Sequence, residues 1–375
     1  MSAFSRNPLG VFRTEGVSLD YGDFFPRLYN LCCSIGLSRS NQSLGAAFCP
    51  DQDQGRATLM LTKHFGVFPV ELGNIYGTLN FRDAMNWVAR SNDIVLLQTS
   101  HVLRNSAVPP SSGVRGLQVR STEQLTVCGT MSKVLAWYQR EYQNALGHVR
   151  FVQAQGKHLV EIDTVLLEKN REDGLCLNLN RLVEKESNGA FQVDFESDSK
   201  VTFHANAALP DKLFNGQSSQ VCKLLYPEWF SFNTSEPKVE AALQCAEANL
   251  RDQMAYIVSA PDPLFAAAEI NIQKEFDANT QRIKTSSDAK GKRLVYLVGI
   301  SVETPAQGDT DFSETGFIPW QAFVQDGGGE CKVLNQAALI HKLKEASPLN
   351  PDEIDLDVVL RQLESDEEGP GFADD

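Results

Sequence analysis

The chain has 375 residues, 42% of them hydrophobic and 22% charged, which excludes wholesale disorder and is long enough to bury a core without disulfide or metal staples. Its 34 basic against 48 acidic residues leave a net charge of −14 with no Lys or Arg run, which argues against a nucleic-acid partner. No run of about 18 apolar residues occurs, MSAFSRNPLGVF carries no apolar leader, and the eight scattered Cys contain no CxxC, so a non-secreted, non-membrane protein with reduced thiols is expected.

Residues 24–37 put Phe25, Leu28, Leu31 and Cys32 at helical spacing, with Gly36 as a stop. The small-apolar run 43–49, closed by Pro50 and Asp51, and the continuous apolar run 93–99 predict strands buried on both faces, the habit of parallel sheets. Between them lies a stretch rich in Gly and aromatics, and 83–88 has helical spacing; strand, loop, helix, strand is the alternation of an α/β fold. The Pro/Ser/Gly cluster at 109–113 predicts a loop over 104–120. Ser121-Thr122-Glu123-Gln124 then has the form of a capping box opening a helix to about Leu146. Over 150–222 apolar and polar stretches alternate without a pattern that assigns elements.

Ser235-Glu236-Pro237 opens a predicted helix whose stripe is Val239, Leu243, Ala246, Leu250 and Met254, expected to pack on the sheet. Residues 293–302 and 317–324 read as two late strands, followed by a Gly turn at 327–329. Beyond 345, Asn350-Pro351 predicts a short helix with Ile354, Val358 and Leu363 as apolar points, and acidic residues follow. The expected organisation is an extension over 1–20, one α/β domain over 21–345 and an acidic tail over 346–375, with one large domain preferred to two.

Cys49 ends one predicted strand, His101 follows the next, and Cys128 lies near the start of the helix after the Pro-rich loop. In an open α/β sheet such ends converge at the carboxyl edge, where ligands bind. Two Cys and one His with an open position form a catalytic zinc set, in which the metal lowers the pKa of its water to about 7. Asp51 could occupy or guard that position. The spacing of 49, 101 and 128 matches no local motif, and buried core Cys with a hydrogen-bonded His is the competing reading. A Cys128 nucleophile activated by His101 is a further one. His64, beside Lys63, reads as a surface residue, and His148, His158, His204 and His341 have no Cys or carboxylate at a telling interval. Cys32-Cys33 fits packing better than redox chemistry, and the Gly73/Gly77 and Gly327–Gly329 clusters fit turns better than a phosphate cradle.

Four pieces stand in a suggestive order: Cys49-Pro50-Asp51-Gln52, the stretch from Phe68 to Gly77, Ser100-His101-Val102, and Val127-Cys128-Gly129-Thr130. With Val298-Gly299-Ile300, Pro305 and the run from Ile318 to Val324, they resemble the limiting-CO2-inducible protein B/C family over roughly residues 20–335. That family's domain is similar to a β-class carbonic anhydrase. The resemblance implies a central, largely parallel sheet flanked by helices and a homodimer. It also implies a Zn2+ held by Cys49, His101 and Cys128, and reversible hydration of CO2 to bicarbonate in the cytoplasm or a plastid (chloroplast). Asp51 takes the place of the family's gatekeeping carboxylate. The family's Arg after the first Cys is Pro50 here, and Arg56 is the nearby substitute; without such a partner Asp51 could ligate the metal and close the site. The family's Gly-Lys-Thr-Gly reads Gly77-Thr78-Leu79-Asn80, which alters the pocket wall. The alternative is a catalytically silent scaffold or regulatory partner in a CO2-concentrating system, with the acidic tail docking a protein.

Overall fold

Strand β1 (Leu19–Asp20) leads directly into helix α1 (Tyr21–Ser34), where Asp20 accepts the Asp23 N–H at 2.7 Å as N-cap and Gly36, at φ +89°, turns the chain away. The computed structural model to which these elements belong describes residues 18–50, 55–103, 127–172, 175–209, 220–221, 227–233, 244–304, 314–358 and 361. By contacts the chain divides into two compact units; one holds described residues 18–128 and those from Asn271 onward, the other Gly129–Ile270. The predicted loop at 104–120 and the capping box at 121 lie outside the described residues.

In the first unit the order continues with β2 (Gln42–Ala47), α2 (Gly55–Phe65), β3 (Val70–Glu71), α3 (Phe81–Arg90) and β4 (Asp93–Leu103). Helix α4 (Val127–Leu146) follows, passes into the second unit after Cys128, and ends where the sequence pattern puts its end. The β2 run is built of small residues because side chains press on it: a Cβ on Gly45 would lie 2.8 Å from the Trp87 ring.

The second unit contains the stretch whose pattern assigned no elements: β5 (Val149–Ala154), β6 (Lys157–Asp163), α5 (Thr164–Glu172), β7 (Leu175–Leu177), α6 (Leu179–Leu182), β8 (Val193–Glu196), β9 (Lys200–His204), β10 (Gln220–Val221) and β11 (Phe230–Phe232). Five of these strands form an antiparallel sheet in the order β10-β5-β6-β9-β8, and β11 pairs separately with β7. Short antiparallel strands with one face exposed carry few continuous apolar residues, so they lack the signal that marks β4. Residues 234–243 of the predicted helix lie outside the described residues. From Gln244 the expected single helix is two, α7 (Gln244–Leu250) and α8 (Met254–Ser259), broken by a 3-10 turn at Arg251–Gln253. Ala246, Leu250 and Met254 are nonetheless buried as one stripe.

Glu247 on α7 is fully buried, accepts the Tyr138 hydroxyl and pairs with Arg251 at 2.8 Å, among the rings of Trp137, Tyr138 and Phe232. Removing the carboxylate deletes both of these bonds inside a buried aromatic cluster. Glu247→Ala is therefore expected to destabilise this unit by about 3 kcal/mol, against less than about 1 kcal/mol for a surface Glu. Urea unfolding followed by tryptophan fluorescence checks this, and a loss as small as the surface value would refute it.

The chain returns to the first unit within α9 (Pro263–Thr285), then forms β12 (Leu294–Thr304), β13 (Glu314–Gln325), β14 (Cys331–Leu334) and α10 (Gln336–Glu345). The sheet order is β1-β13-β12-β4-β2-β3, with β14 on β13. Strands β3, β2, β4 and β12 are mutually parallel and β13 runs against them. This is the largely parallel sheet flanked by helices expected from the sequence. Helices α1, α2 and α10 cover one face through Phe24, Leu28, Leu61, Phe65 and Leu339, packed on Val95, Leu97 and Leu297. On the other face Phe276 of α9 stacks on Tyr296 at 5.6 Å.

Past α10 the chain stays on this unit. Asn350 is buried and donates through Nδ2 to the His64 carbonyl at 3.0 Å and to His64 Nδ1 at 3.2 Å, while the Ile354 N–H donates to Lys63 O and Tyr29 OH to Asp352. His64, expected at the surface beside Lys63, is instead 3% exposed. The helical spacing of Phe65 and Leu61 turns it inward under the 350–354 strap. Burial, reinforced by the Lys63 charge and opposed by Glu353, lowers its pKa to about 4. Between pH 6.5 and 4 the unfolded chain takes up a proton that the folded one refuses, so this contribution is complete above pH 6.5 and is lost as pH falls. Between pH 7 and 5 the wild type should lose about 1–2 kcal/mol more than His64→Gln, which denaturant titrations of both proteins at the two pH values check.

Candidate metal site at the carboxyl edge of the sheet

Strands β2, β4 and β12 end at one edge because they run parallel. Cys49 follows β2 two residues after the last pair, Ala47 with Gln98, and His101 sits near the end of β4, paired in register with Ser301 of β12. Both are buried, at 1% and 3% exposure. Two of the expected ligands are thus brought to the same edge from neighbouring strands.

The Cys49 sulfur is held by backbone. The N–H of Tyr76 donates to Sγ at 3.3 Å from a turn, Ile75–Gly77, in which Tyr76 is left-handed at φ +62° and Gly77 at φ +70°. Glycine is required at 77, since a Cβ there would lie 1.8 Å from Thr99 O. The same is true of Gly73, whose Cβ would meet Phe48 O at 2.0 Å. Below the turn Gln98 donates to Gly77 O at 2.7 Å and to Glu275 at 3.1 Å, and the Leu79 N–H donates to Glu275 at 3.0 Å. Asn279 completes this buried network with Tyr296, whose hydroxyl donates to Gln98 Oε1.

On the α1 face of the edge, the face of Val95 and Leu97, lie His101, Ser301 and Glu303. Tyr21 of α1 hydrogen-bonds Ser301 Oγ at 2.8 Å. Burial above all, and the Glu303 charge, raise the Tyr21 hydroxyl pKa, while Ser301 and the Arg56 charge act the other way. Arg56, expected near Asp51, lies exposed in the first turn of α2 with its charge felt at this hydroxyl. Tyr21, Ser301 and Glu303 were not singled out in the sequence, although Ser301 and Glu303 are polar residues ending a buried apolar run, which is itself the signal.

Cys128 is the second residue of α4; its side chain, and Asp51 altogether, lie outside the described residues. Among the described residues no three His, Cys, Asp or Glu side chains group as a metal site. The donors that are described suit zinc: a buried sulfur already accepting an N–H bond, as metal thiolates do, and a buried imidazole on the adjoining strand. His148 pairs with Asp163 at 2.9 Å and His204 with Asp194 at 3.2 Å over intervals that carry no local signal, whereas His341, expected to have no carboxylate at a telling interval, pairs with Glu345 at 3.6 Å one helical turn on in α10. Cys32 is buried in the core and Cys33 is exposed, each as a free thiol. No helix among the described residues is long and apolar enough to cross a membrane.

Sequence comparison with protein-family models and with curated proteins finds no match. Among solved structures the chain is similar to limiting CO2-inducible protein LCIB, with 12% identity, coverage of 85% of this chain and 95% of that one, and a TM-score of 0.44. It is also similar to the LCIB homolog PtLCIB4, with 12% identity, 84% and 94% coverage and a TM-score of 0.41.

Proposed function

We propose that the chain is a carbonic anhydrase-like zinc protein that hydrates CO2 reversibly to bicarbonate, working as a homodimer in the handling of inorganic carbon. The observation that carries the reading is that Cys49 and His101, both buried, come to the same carboxyl edge from adjacent parallel strands, with the Cys49 sulfur accepting the Tyr76 N–H. The order of the sequence motifs supplies the third ligand, Cys128. When bound, zinc would supply a water acidified into the neutral range.

The chain's own residues would do the rest. Cys49 and Cys128 would bind as thiolates, a state that N–H donation to sulfur favours over the thiol. His101 would ligate from a strand position fixed on both sides, by β2 and by β12. Asp51 would guard the open position, and the buried face of Tyr21, Ser301 and Glu303 would keep bulk water from the ring of His101.

The test is zinc per chain of the purified protein by mass spectrometry, with CO2 hydration followed by stopped flow. About one zinc with measurable hydration is the expected result. About one zinc without hydration would favour the silent scaffold, with Asp51 closing the coordination sphere. No zinc from zinc-replete cells would overturn the metal reading.

A further inference from the structure

Asn271 on α9 is completely buried, yet only one end of its amide is used. Nδ2 donates to Tyr76 O at 3.2 Å and to Ser100 Oγ at 3.0 Å, while Oδ1 has no partner. An orphaned buried oxygen costs stability that an apolar side chain of the same size would avoid. What the residue contributes therefore lies on its donor side.

That side acts on a strained residue. Tyr76 sits at φ 62°, ψ 23°, a region that bulky aromatic residues rarely enter. Its N–H is on the Cys49 sulfur, and its carbonyl is held by Asn271 and by Ser100 Oγ at 3.3 Å. The next carbonyl, of Gly77, is held by Gln98. With both carbonyls tied, the turn cannot relax to negative φ, and the Tyr76 N–H keeps its aim.

We propose that Asn271 is a positioning residue for Cys49: it holds Tyr76 in the left-handed conformation, and so sets how strongly the Cys49 sulfur binds zinc. The inference rests on Cys49 being a zinc ligand. An N–H bond to a ligand sulfur fixes which way the sulfur faces, and loss of such an outer-shell partner typically costs about 10–100-fold in metal affinity.

The experiment measures zinc affinity against a chromophoric chelator, and the sulfur-to-cobalt charge-transfer band after Co2+ loading, for wild type, Asn271→Leu, Ser100→Ala and Thr280→Val. Thr280 is the control, a buried hydroxyl on the same helix that makes no hydrogen bond to the turn. Asn271→Leu and Ser100→Ala should weaken zinc binding by about tenfold and shift the cobalt band, while Thr280→Val changes neither. Should Asn271→Leu fail to fold, Ser100→Ala decides, because it removes a donor to the same carbonyl with little loss of volume. Unchanged affinity and an unchanged band, with zinc bound by the wild type, overturn the positioning role and leave the zinc reading standing. A wild type that binds neither metal overturns both.

Discussion

Cys49→Ser is expected to give a folded protein that holds no zinc and hydrates CO2 no faster than the uncatalysed reaction. Serine keeps an acceptor for the Tyr76 N–H that now ends on Sγ, so the buried donor is not stranded, a loss that would itself cost about 1–3 kcal/mol. What serine removes is the soft thiolate, and a hydroxyl at neutral pH is a poor zinc ligand. Cys49→Ala should lose the metal too, with a lower melting temperature because the N–H is left without a partner. His101→Ala should behave as Cys49→Ser in metal content. The comparison separates ligation from packing: if Cys49 were only a small core residue, Ala and Ser would differ in stability and the metal content of both would equal that of wild type.

Gly77→Ala should be the most damaging single methyl added to the edge of the sheet, at about 3 kcal/mol or more. Two effects act together. The backbone is at φ +70°, where an L side chain costs about 1–2 kcal/mol, and the new Cβ would lie 1.8 Å from Thr99 O, a backbone atom that cannot swing aside. Gly291→Ala isolates the first effect within the same unit, since Gly291 has φ +78° and nothing within 4 Å of an added Cβ; it should cost about 1 kcal/mol. Because the turn carries the Tyr76 N–H, Gly77→Ala should also lower zinc retention, which Gly291→Ala should leave alone. Equal urea midpoints for the two variants would show that the turn can move away from β4 freely.

The elements legible in the sequence were those with a single strong period or an unbroken apolar run. Helix α1 was marked by Phe25, Leu28 and Leu31, and strands β2, β4, β12 and β13 by runs that parallel or central strands bury on both faces. From those runs came the positions of Cys49 and His101 at strand ends. Helix α9 also has a regular pattern, with Pro263 at its start and Ile272, Phe276, Asn279 and Ile283 facing inward, but its polar members, Asn271, Glu275 and Asn279, blur the apolar stripe. Those same polar residues are the ones that hydrogen-bond the Ile75–Gly77 turn and the buried network beneath it.

Composition, run length and the order of motifs thus determined the α/β class, the absence of a nucleic-acid signature and the choice of Cys49 and His101. The tertiary structure alone decided what surrounds them. That the Tyr76 N–H meets Cys49, that Asn271, 195 residues further on, holds the Tyr76 carbonyl, and that Tyr21 reaches Ser301 across 280 residues are pairings between segments whose local patterns carry no mark of one another. The same holds for His64, whose neighbour Lys63 suggested solvent until the 350–354 strap was seen to cover it. Local sequence encodes periodicity and propensity; which polar atoms meet in the interior depends on how whole elements pack, and that is set by the fold as a unit.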